Sequence, residues 1–173
     1  MIKRIASGLF LSSLIAAPAF AVNLPSRTPG LWQSITTVTG PNGKPLTHEM
    51  NVVTVSCIDA LNDQTFFTSE KSACSSLTVS GGGNSYSIDA VCQGQSMDQD
   101  QGQNVKIHQT LTYSGPQALS LQAAYITATG QMTVTSQLQW QGQCPAGMQP
   151  GDEGYMAGGN FSKTDNINDS YNQ

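Results

Sequence analysis

Apolar and polar residues alternate along the middle of the chain with a period of two. In VKIHQTLTY, Val105, Ile107, Gln109, Leu111 and Tyr113 fall on one side, and Lys106, His108, Thr110 and Thr112 on the other. MTVTSQLQW likewise sets Met132, Val134, Leu138 and Trp140 against Thr133, Thr135, Gln137 and Gln139. Successive side chains of a strand point to opposite faces, so this pattern marks strands with one face buried and one wet. Runs rich in β-branched and aromatic residues at 31–39, 46–56, 74–80, 85–93 and 118–128 predict further strands. Between them stand the turn formers Pro41-Asn42-Gly43, Gly81-Gly82-Gly83-Asn84, Ser114-Gly115-Pro116 and Thr129-Gly130. Only IDALND (58–63) reads as a helical turn, and no stretch gives a long amphipathic helix.

The pattern predicts an all-β fold, an antiparallel meander of about seven strands forming a barrel or a curled half-barrel. A two-sheet sandwich is the alternative, since alternation is the same in both. An outer-membrane barrel is rejected because its lipid-facing side must be apolar in every strand. The strand at 46–56 carries His48 and Glu49 on opposite faces.

The two ends of the chain differ from its centre. MIKRIASGLFLSSLIAAPAFA opens with Lys3 and Arg4, continues with an apolar run from Ile5 to Ala17, and ends in Ala19-Phe20-Ala21. This is the layout of a cleaved signal peptide over 1–21, and its apolar run is shorter than the roughly 20 residues a bilayer span needs. A domain over 22–144 follows, and then 145–173, rich in Gly, Asn and Asp and poor in aliphatics. That composition predicts a flexible tail. The segment QGQSMDQDQGQN (93–104) predicts a flexible connection.

Charge narrows the functional classes. Without Lys3 and Arg4 the chain keeps five cations against eleven acids, 5 − 11 = −6. Nucleic-acid binding needs clustered Lys and Arg, so that class is excluded, and an anionic membrane surface would repel the protein.

The domain holds Cys57, Cys74, Cys92 and Cys144. An even number in an exported domain reads as disulfides, with three possible connectivities. With Gly82-Gly83-Asn84 as a three-residue hairpin loop, Gly81 pairs with Ser85, Val79 with Ser87 and Leu77 with Asp89. Cys74 then faces Cys92 at a distance a disulfide spans. Cys57 and Cys144 remain for the second bridge, tying the second strand to the last. A redox Cys-x-x-Cys pair is absent, and the spacings of 17, 18 and 52 residues do not match paired zinc ligands.

Other candidate chemistry is thin. His108 sits on a polar strand face, and there is neither a G-x-S-x-G elbow nor an H-E-x-x-H motif. DQDQG (98–102) departs from a calcium loop in its glycine position and lacks the closing bidentate acid. No catalytic residue, metal or cofactor is expected.

PGLW at 29–32, a strand ending in Cys57 before Ile58-Asp59-Ala60, the Cys74/Cys92 hairpin and the terminal Gly-Gln-Cys144 together resemble the domain of unknown function 3617 family, over about 28 to 144. Its members are small exported proteins of Gram-negative bacteria, so the resemblance implies a periplasmic address. The family has no established activity and supplies no catalytic residue.

Two functional expectations follow. One is a non-catalytic module binding a small hydrophobic or lipid ligand, since an eight-stranded barrel can hold one. Its lining would be Trp32, Ile107, Leu111 and Tyr113 together with Leu121, Val134, Leu138 and Trp140; a solid core built from the same residues is the plainer alternative. The other is an envelope protein-interaction or structural module working through its neutral Gln/Thr surface or its tail. Neither inserts in a membrane.

Overall fold

The alternation resolves into β1 (Gly30–Thr39), β2 (Val52–Ile58), β3 (Cys74–Gly82), β4 (Ser85–Gln93), β5 (Asn104–Tyr113), β6 (Ala118–Thr127), β7 (Gly130–Gly142), β8 (Asp152–Ala157) and β9 (Asn160–Asn166). The computed structural model describes residues 22–46, 51–63, 74–93, 104–128 and 130–168. The expected signal peptide, His48, Glu49, the DQDQG segment and most of the Gln-rich connection lie outside the described residues.

The nine strands of the described residues join one antiparallel sheet in the order β3-β4-β5-β6-β7-β1-β2-β8-β9, which rules out the sandwich. The sheet curls without closing, a half-barrel with β3 and β9 as its edges. Its curl brings Ile58 of β2 into one buried cluster with Tyr86 and Ile88 of β4, five places away in the sheet.

Side chains at alternate positions line the inner face. Leu111 (0% exposed), Trp32, Ile88, Leu119, Leu138, Tyr86 and Tyr113 form the main core there, with Leu24 from the segment before β1. Removing a fully buried side chain such as Leu111 from water contributes about 1.5–3 kcal/mol. A smaller cluster of Val55, Cys57 and Met148, with Leu31, Cys144 and Phe161 packed against it, lies on the opposite, outer face.

Three expectations need correction. The second strand is Val52–Ile58 rather than 46–56, so Cys57 lies inside it. In the β3–β4 hairpin the loop is Gly83-Asn84, with Gly83 at φ 65°, so the pairing is one residue off the expected register. Leu77 faces Ala90 and Val79 faces Ile88. The expected register would have set both against the polar Asp89 and Ser87, and a one-residue slip moves a whole apolar set to the wrong face. An irregularity between Cys74 and Ser76 absorbs the difference and returns Cys74 opposite Cys92.

The third correction concerns the expected flexible tail, whose residues 152–166 form β8 and β9. Polar side chains do there what aliphatics do elsewhere. Asp152, 2% exposed, receives hydrogen bonds from the Gln149 amide (2.7 Å) and Asn166 Nδ2 (2.8 Å) and pairs with Lys163 Nζ at 2.6 Å. Phe161 and Met148 pack on the outer face, and the Cys57–Cys144 bridge pins the segment beside β2.

Candidate functional site

The inner face divides into a sealed end and a more open one. The segment ahead of β1 builds the seal. Leu24 enters the core, and the Thr28 amide donates to Pro116 in the β5–β6 connection at 2.8 Å. The indole N–H of Trp32 donates to the Thr28 carbonyl (2.9 Å), and that of Trp140 to the Pro29 carbonyl (3.0 Å). Trp32 and Trp140 are cross-strand partners on β1 and β7, so two indoles clamp the Pro-Gly entry into β1. Gly30 has φ 135°, and a Cβ there would run into the Gly142 carbonyl and the Trp140 indole, so only glycine fits.

Arg27 is the centre of this seal. Its side chain is 0% exposed; Nε donates to Asp63 Oδ1 at 2.6 Å and its backbone N–H to Oδ2 at 3.0 Å. The guanidinium also lies 5.1 Å from the Trp32 ring centroid, within cation–π range. Burial pulls the Arg27 pKa below its ordinary 12.5, while the hydrogen bond and charge of Asp63 oppose that pull. The IDALND turn delivers Asp63. The Asp59 carboxylate accepts the Leu61 and Asn62 amides (2.9 Å each), and Asn62 Oδ1 accepts the Asp59 amide at 3.0 Å, a reciprocal cap. Burial raises Tyr113, at the same end, to about 12. Glu153 is Ser56's partner on β8, and burial, then Asp165 across the hairpin, raises its pKa.

Sequence reasoning missed Arg27 and Asp63, which are 36 residues apart and share no local pattern. Of the residues it expected to line a cavity, Trp32, Leu111, Tyr113 and Leu138 are buried together, with Leu121 and Trp140 packed against them. Ile107 belongs to a second buried group with Ala90 and Cys92, joined by Tyr125. Val134 is half-buried further along β7. His108 is exposed on the outer side, its Nδ1 2.7 Å from Asp89.

Beyond the seal, the inner face carries two cross-strand rows. One runs Val79–Ile88–Gln109–Ala123–Val134–Val38, the other Leu77–Ala90–Ile107–Tyr125–Met132. Ala123 (0% exposed) and Ile88 (2%) form the floor, while Val38, Tyr125, Met132 and Val134 are only half-buried. Between seal and rows, Thr36 Oγ1 hydrogen-bonds Ser136 Oγ at 2.7 Å. A separate depression of about 200 Å³ beside Ser114, Ala118 and Gln139 is below the roughly 300 Å³ of small ligand pockets. Among the described residues, no group of three His, Cys, Asp or Glu is placed to hold a metal ion, and no helix is long and apolar enough to cross a membrane.

Fold and bridges define a disulfide-bonded, all-β, open half-barrel. The model of one family, described as Protein of unknown function (DUF3617), matches residues 27–144, and the chain belongs to that family. No curated protein and no solved structure matches it. The matched region runs from Arg27 to Cys144, so it begins at the buried arginine and ends at the bridge to β2.

Proposed function

We propose that the protein is a non-catalytic, periplasmic module that binds a small hydrophobic or lipid ligand on the inner face of its half-barrel. The observation carrying this is the contrast between the two ends of that face. One is plugged by Arg27, Asp63 and two tryptophans, whereas at the other Val38, Tyr125, Met132 and Val134 keep partial exposure in an unclosed sheet. Large apolar side chains left partly open on a concave surface favour apolar ligands. Export fits the two disulfides, which persist in an oxidising compartment.

Titration with a fluorescent naphthylamine probe tests this. Saturable enhancement by the native protein, abolished by Val134→Glu with both disulfides intact, is expected. Fluorescence no greater than that of the Val134→Glu protein contradicts the proposal.

A second reading, an envelope interaction module, is favoured by the outer face. Ile35 (42% exposed) and Val53 (44%) are cross-strand partners there, and Met156 (40%), paired with Phe161, is also exposed.

A further inference from the structure

Gln109 interrupts the first inner row with a polar group. Its cross-strand partners are Ile88 and Ala123, and its inward neighbours along β5 are Ile107 and Leu111, all apolar and buried. The Gln109 Oε1 atom is buried, with no hydrogen-bond partner among the described residues. An unsatisfied buried carbonyl is destabilising, and replacing it by an apolar group of similar shape would relieve the loss. The Gln109 side chain is only half-buried on this face, so a donor from outside the chain can reach its free carbonyl.

The surroundings define that donor. Lys106 and His108 point to the outer face, and Arg27 and Asp63, buried at the sealed end, are paired with each other. Glu153, the partner of Ser56, also lies toward the sealed end, so among the described residues a charged head group beside Gln109 would lose its hydration without gaining an ion partner. An apolar chain would instead lie along the half-buried residues Tyr125, Met132 and Val134.

We infer that Gln109 is the specificity-determining residue of the inner face, accepting a hydrogen bond from the uncharged hydroxyl or amide head of a single-chain amphiphile. This rests on the reading of the inner face as a ligand site.

Hexadecanol, hexadecyl methyl ether and hexadecanoate, compared by probe displacement on the full-length protein, test it. The alcohol, which donates, should bind about tenfold more tightly than the ether, which only accepts. It should also bind more tightly than the carboxylate. Gln109→Leu should remove the preference by weakening the alcohol and leaving the ether unchanged. Equal affinity of alcohol and ether for the native protein, or tighter binding of the carboxylate, overturns the role of Gln109 while leaving an apolar site in place. Failure of all three to displace the probe overturns both.

Discussion

The Arg27–Asp63 pair is the residue whose loss should be felt most. Deleting one partner of a buried ion pair leaves an uncompensated charge and costs about 3–5 kcal/mol. Asp63→Ala should therefore lower the unfolding free energy by about that amount in urea. Arg27→Met combined with Asp63→Leu should recover most of the loss, since apolar replacement of both partners is often neutral. A double variant as unstable as the single one contradicts this view of the pair. The two carboxylates of the last hairpin should respond to pH in opposite senses. Burial raises the Asp152 pKa, but the hydrogen bonds from Lys163, the Gln149 amide and Asn166 outweigh it and hold the pKa below 3.8. Its contribution is present above that value and lost as pH falls through the lower folded pKa. Glu153 is raised above its ordinary 4.5, so its contribution is present below that value and lost as pH rises through the folded pKa. Glu153→Gln should therefore stabilise the protein at neutral pH, with the gain vanishing below about pH 4.5 in thermal melts. None of these residues was legible beforehand, because each acts through a partner distant in sequence. Trp32 was legible as a core aromatic.

Among the elements, the strands with strict alternation were the most legible. The runs predicted over β4, β5 and β6 differ from the observed strands by no more than a residue at either end. The pairing of Cys74 with Cys92 was also legible, although the register between them was not. Apolar matching of Leu77 with Ala90 and Val79 with Ile88 decides that register, and an irregularity then restores the cysteines. β8 and β9 were not legible because their order comes from the Asp152 network and from the bridge to Cys57, rather than from aliphatic content. β8 pairs with β2 through only Val55–Gly154 and Ser56–Glu153. The bridge, closing a sequence separation of 87, should therefore hold the hairpin in place. Cys57→Ser with Cys144→Ser should lower global stability by no more than about 4–5 kcal/mol. It should also accelerate amide exchange in 152–166 far more than in β4–β6. Uniform acceleration along the sheet would contradict a local role for this bridge.

For the molecule as a whole, the legible part was an all-β meander, and the barrel or half-barrel alternatives resolve to the open form. The seal at one end required knowing that the segment before β1 crosses the inner face, where Thr28 meets Pro116 and Arg27 meets Asp63. No periodicity announces such a crossing. With that end plugged, the partly exposed rows around Gln109 are where an apolar ligand is proposed to lie. Native mass spectrometry of gently purified protein tests this most directly. The predicted spectrum shows the polypeptide with both disulfides and an added mass matching one small amphiphile, which Val134→Glu removes. Bare polypeptide mass alone, unchanged by added lipid, would contradict it.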